Sequence, residues 1–165
     1  MTGSPAPLTP AQTVGPFLSL GMSWPDGPHV VDPATPGAVR IGGRVLDGNG
    51  DPVGDGLIET WQVGPGEFRG FGRCLTDPLG AWEITTFKPA AERPYLDVLV
   101  FARGLLHRLA TRIYFADEDA ANAADAVLSV LDDTVRRTLL AAPSDGGYRF
   151  DIHLQGPHET AFFAI

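Results

Sequence analysis

The groups with which this chain could do chemistry are four histidines, one cysteine and a scatter of hydroxyls and carboxylates. His29, His107, His153 and His158 include no His-x-His or His-x-x-x-His pair, the spacings that set two imidazoles on one strand face or one helix face toward a metal. His153 falls on the polar side of YRFDIHL, where a solvated strand residue is the ordinary reading, and the other three stand in loop or turn segments. None of Ser4, Ser19, Ser23, Ser129 and Ser144 lies in the G-x-S-x-G elbow that exposes a nucleophile. Cys74, in FGRCLTD, reads as a buried structural thiol rather than a reactive one. The acidic run DEDAANAAD lacks the glycine and closing glutamate of a calcium loop, and reads as a helix start. Taken alone, the reactive groups assemble no catalytic constellation.

Composition narrows what could position such groups. A chain of 165 residues fits one domain, and 44% hydrophobic residues suffice for a core. Twenty glycines and fifteen prolines are too many for a helical bundle and read as turns between short strands. A net charge of −8 disfavours a nucleic-acid surface, and a single cysteine excludes an intrachain disulfide or a Cys-rich zinc site. No apolar run approaches the roughly 20 residues that span a bilayer. Residues 1–10 have neither the basic start nor the apolar core of a signal peptide, so a cytoplasmic protein is expected.

Residues 1–38, rich in Pro and Gly, are expected to form an extended arm and loop that contact a partner chain, with the core in 39–165. Strands are expected at 39–46, 57–63, 81–87, 95–101, 107–115 and 148–154, with 160–163 closing a sheet edge. Asp47-Gly48-Asn49-Gly50 carries two hairpin dipeptides, and the near-continuous apolar run at 95–101 predicts a strand buried on both faces. One helix is expected over 120–126, behind the acids at 117–119. The fold class is all-β: a β-sandwich with one short helix and an extended N-terminal arm.

The segment GRVLDGNGDPVGDGLIETWQV resembles the start of the core domain of intradiol ring-cleavage dioxygenases, and also occurs in outline in transthyretin-like β-domains. The downstream segments keep the family's order: GEFRGFGRCLTDPLGAWEITTFKP, RPYLDVLVFARG, TRIYFAD and YRFDIHLQGPHETAFF, with TPAQTVGPF near the N-terminus. Over nearly its whole length the chain resembles the α-type chain of the family's two-chain members. The resemblance implies an all-β sandwich and a homologous β chain as partner, which holds a non-haem Fe(III) on two Tyr and two His.

The α-type chain in that family has lost the metal. Here the first tyrosine position carries Phe68, and the KPAAERP loop has no tyrosine for the second. Aligned through FARG, the two histidine positions carry Tyr95 and Asp97; a slip of one residue puts Leu96 and Val98 there. Two donors without neighbouring ligands are too few for a tight ferric site, so no metal and no catalytic residue are expected in this chain. The reading preferred for Asp97 is a carboxylate satisfied by a nearby arginine or backbone group.

The resemblance also implies a role at a shared pocket. The arm of the α-type chain lines the substrate site, and the arginine of FARG lies near its mouth, which carries over to Thr13, Gly15, Pro16 and Arg103. Gly15 permits close backbone approach, Pro16 fixes direction, Thr13 offers a hydroxyl, and Arg103 attracts an anionic catechol. A surface or interface salt bridge is the competing reading of Arg103. The substrates implied are protocatechuate, a carboxylated catechol, and O2. The rival reading is a non-enzymatic transthyretin-like binding module, which accounts for the strands but not for the arm.

Overall fold

Alternation along the strands decides which side chains enter the core. In the computed structural model, which describes residues 8–15 and 17–164, nine strands form: β1 (Ala38–Leu46), β2 (Leu57–Val63), β3 (Arg69–Leu75), β4 (Ala81–Phe87), β5 (Leu96–Phe101), β6 (Leu109–Phe115), β7 (Leu140–Ser144), β8 (Gly147–Arg149) and β9 (Ile152–His153). Every second residue of β1, β2 and β5 points inward: Ile41 and Val45, Ile58 and Thr60, Leu96, Val98 and Val100 are all buried. With Trp82, Ile84, Ile113, Phe150 and Ile152, all of these but Thr60 form one apolar core.

The predicted sandwich is a single sheet folded over on itself, in the order β3-β2-β5-β6-β7-β8-β1-β4, with β9 beside β1. The pairs β1–β8, β1–β9 and β6–β7 are parallel and the others antiparallel. The free edges of β3 and β4 are bridged by residues 27–31 of the Pro-rich loop. Arg73 N–H donates to Gly27 O at 2.8 Å, Thr85 N–H to Pro28 O at 2.8 Å, and Val30 N–H to Thr85 O at 2.9 Å. These bonds satisfy backbone groups that an open sheet would leave unpaired.

The structure differs from the expectation at several points. Three short helices form rather than one, α1 (Leu18–Gly21), α2 (Asp119–Ala124) and α3 (Asp133–Arg137), with a 3₁₀ turn at Leu128–Val130. β5 is buried on one face only, since Asp97, Leu99 and Phe101 face outward in part. The strictly alternating 148–154 segment breaks into β8 and β9, which pair with β1 in turn, and 160–163 contributes only the bridge from Phe163 to Ala110.

Cys74 is buried in β3, and its thiol is pushed up to about 11 by burial, with a smaller contribution from the charge of Glu83. The native chain therefore keeps a proton that the unfolded chain releases above pH 9, and stability falls as pH rises from about 9 to 11. Cys74→Ala is expected to flatten that alkaline decline, read as the difference between the two proteins' melting temperatures across the window. Parallel curves for the two would refute it.

Candidate functional site

Four residues singled out by the sequence belong to two segments, and three of them fall within the described residues; Pro16 lies outside them. β5 ends in a turn in which Leu105 N–H donates to Ala102 O at 3.3 Å, and its third residue, Gly104, has φ +91°, a backbone state that favours glycine. The arm crosses this turn. Gly104 N–H donates to Thr13 Oγ1 at 2.8 Å, and the Thr13 hydroxyl proton has no acceptor among the described residues. Gln12 and Val14 of the arm and Phe101, Leu105 and His107 of the turn line a cavity of about 240 Å³ beneath the crossing.

Thr13 and Arg103 thus stand at one corner of the sheet, with Gly15 two residues further along the arm. A Cβ built on Gly15 meets nothing within 4 Å, so its backbone is open to an approaching group. Arg103 is 63% exposed at its side chain and its Nε is paired with Asp55. Its Nη atoms donate to no described residue. Exposed apolar side chains gather on the same two segments: Phe17 and Leu20 are each 76% exposed and Leu106 is 58% exposed.

The positions that would carry metal ligands sit elsewhere and are occupied differently. Phe68, between β2 and β3, packs edge-on against Phe87 with ring centroids 5.1 Å apart. Leu96 and Val98 are sealed in the core. Tyr95 and Asp97 lie on the outward side, and Arg112 of β6 engages both: its Nε donates to Asp97 Oδ1 at 3.0 Å, and its guanidinium lies 3.9 Å from the Tyr95 ring centroid. Asp97 is therefore satisfied by an arginine, as expected from the sequence. The network continues through Tyr114, which lies 3.4 Å from Arg112 Nη1 and donates to Asp125 Oδ1 at 3.1 Å. Burial pushes the Tyr114 phenol up to about 12 despite the opposing pull of Arg112. Lys88, at the mouth of the KPAAERP loop, is held by Asp117 at 3.0 Å and Glu118 at 2.6 Å. Burial alone would lower its pKa, but hydrogen bonds with Glu118, Tyr148 and Asp117 outweigh this and raise it. Three apolar residues and two groups already engaged by arginines do not fit a ferric ion, which needs several hard anionic donors at once.

Sequence reasoning missed Asp55, Gly104 and Arg112 as members of these clusters. A signal for Asp55 existed in the strand register. β2 pairs β5 antiparallel with Leu57 opposite Phe101, and two further residues put Asp55 opposite Arg103.

Comparison with known proteins gives a consistent result. The chain is 37% identical to the protocatechuate 3,4-dioxygenase alpha chain of Burkholderia cepacia, across 95% of this chain and 97% of that one. It is 30% identical to the beta chain of the same organism's enzyme, across 74% of this chain and 66% of that one. Among solved structures, the dioxygenase domain of a dioxygenase carbohydrate-binding protein fusion from Streptomyces sp. SirexAA-E superposes with a TM-score of 0.61 and 25% identity, covering 90% of this chain and 98% of that one. No protein-family model matches the chain. The similarity to the alpha chain takes in nearly the whole sequence, where a transthyretin-like binding module would account for the strands alone.

Proposed function

The chain belongs to the family of protocatechuate 3,4-dioxygenase α chains, and from that premise we propose that it is the non-iron-binding α subunit of a two-chain intradiol dioxygenase. The complex cleaves protocatechuate with O2 to 3-carboxy-cis,cis-muconate. The bond between the two hydroxylated ring carbons breaks and both oxygen atoms enter the product. A homologous β chain carries the non-haem Fe(III), and the complex works in the cytoplasm. No described helix is long and apolar enough to cross a membrane.

In this reading the 1–38 segment reaches the partner, and Thr13, Gly15, Pro16 and Arg103 wall the shared pocket. The observation that carries it is the crossing of the arm over the β5–β6 turn. It puts a hydroxyl and a guanidinium with unengaged donors side by side, on two segments that also carry the exposed Phe17, Leu20 and Leu106. An arginine at the pocket mouth of a protein with net charge −8 gives an anionic substrate a local attraction that the rest of the surface denies it.

The test is co-expression with the β-type chain, followed by O2 uptake with protocatechuate and with unsubstituted catechol. Arg103→Ala is expected to lower kcat/KM for protocatechuate about tenfold, the loss of one charge-assisted hydrogen bond, and to leave catechol nearly unchanged. Unchanged kinetics with weaker association of the two chains would make Arg103 an interface residue. Failure of the two chains to associate at all, or an associated complex with no O2 uptake, would refute the function itself.

A further inference from the structure

We propose that Asp55 is the residue that orients Arg103 and thereby sets the preference for a carboxylated over an uncharged catechol; this rests on the placement of Arg103 at the pocket mouth. Asp55 lies in the turn before β2 and Arg103 in the turn after β5, each two residues beyond the last β2–β5 pair, Leu57 opposite Phe101, so the sheet brings the two turns to the same end. Its carboxylate takes only Nε of the guanidinium. A guanidinium carries five N–H donors in one plane, and a group held at Nε keeps the edge formed by the two Nη atoms for a second carboxylate. That edge has no partner among the described residues.

Asp55 has two opposite effects on the binding of an anion. Its charge cancels part of the attraction of Arg103, but both groups are substantially exposed, and attraction at that exposure is weak and screened by salt. Against this, an exposed arginine held by nothing loses most of its rotamer freedom when it grips a ligand, and Asp55 removes that cost beforehand. The backbone on which Arg103 stands is fixed as well, by the Leu105–Ala102 bond and by Thr13 on Gly104. Orientation therefore outweighs neutralisation, and Asp55 acts as a positioning residue.

The two variants Asp55→Ala and Asp55→Asn separate these effects in the co-expressed complex, because asparagine keeps an oxygen for Nε and gives up the charge. Asp55→Ala is expected to raise KM for protocatechuate about three- to tenfold with kcat unchanged and catechol unaffected. Asp55→Asn is expected to restore KM to within about twofold. A fall in KM in both variants would show that Asp55 only competes for Arg103 and would overturn the proposal. So would an unchanged KM in Asp55→Ala where Arg103→Ala still weakens protocatechuate, and in that case the pocket-mouth reading survives. If Arg103→Ala also leaves the protocatechuate-to-catechol ratio unmoved, both assignments fall together.

Discussion

Purified alone, this chain is expected to be colourless and free of stoichiometric iron, whereas its complex with the β-type chain absorbs visible light through ferric tyrosinate. The effect is all-or-none because every candidate ligand position in the chain is committed. Phe68 offers a hydrocarbon ring seated on Phe87, Leu96 and Val98 are buried aliphatic residues, Asp97 is taken by Arg112, and Tyr95 has Arg112 over its ring and Arg93 Nη2 3.3 Å from its hydroxyl. Freeing Asp97 would leave the Arg112 guanidinium half-buried without its carboxylate, a cost that opposes metal binding. Phe68→Tyr is accordingly expected to stay colourless, since one phenolate does not make the shell that holds Fe(III) against hydrolysis. Metal analysis and the visible spectrum of the separated chains decide the matter. One iron per isolated chain with a tyrosinate band would refute the assignment of iron to the partner.

How much of the fold and site was legible in the sequence depends on whether local residues or distant contacts set each feature. The strands at 57–63 and 81–87 were readable to the residue because LIETWQV and AWEITTF combine β-formers with clean turn signals. β3 was not. Its sequence RGFGRCL carries two glycines, which argue against a strand. Those glycines exist for the loop that lies against them: a Cβ on Gly70 would stand 2.9 Å from Val30 Cγ1, and one on Gly72 would stand 2.7 Å from Val30 Cγ2. At Gly70 the ring of Phe68 adds a local constraint at 2.8 Å, but at Gly72 the requirement comes from a segment some 40 residues away, and nothing local announces it. β7 was missed for a related reason, because LAAPS becomes a strand only by pairing with β6 and β8. Of the candidate site, Thr13 and Arg103 were singled out through the family's motifs. Their meeting point could not be read, since it depends on an arm crossing a turn 91 positions later.

The same contrast between close and yielding neighbours predicts a rank order of stability. Gly43, in β1 where the strand passes from β8 to β9, has the backbone carbonyl of Phe150 directly where a Cβ would project, with Asp151 Oδ1 at 2.9 Å. A main-chain oxygen of a residue whose own N–H is bonded to β1 cannot rotate away as a side chain would; either β1 or the β8–β9 connection must shift, and the bond from Phe150 N–H to Gly42 O at 2.8 Å goes with it. Gly43→Ala is therefore expected to cost about 3 kcal/mol, the upper end of overpacking. Gly72→Ala meets methyl groups of Val30 and Ile84 and the Thr60 hydroxyl, which can turn about χ1 or move with the loop, and about 1–2 kcal/mol is expected there. Thermal melts of the co-expressed complex should place Gly43→Ala lowest, Gly72→Ala between, and the parent highest. Because both glycines lie away from the arm and the 102–105 turn, the protocatechuate-to-catechol ratio of the surviving enzyme should not move. A reversed order would mean that the β1–β8–β9 junction yields more readily than the loop that closes β3 to β4. A changed ratio would mean that strain in the sheet reaches Arg103 through β2 and β5, and the site would then be coupled to the core rather than simply carried by it.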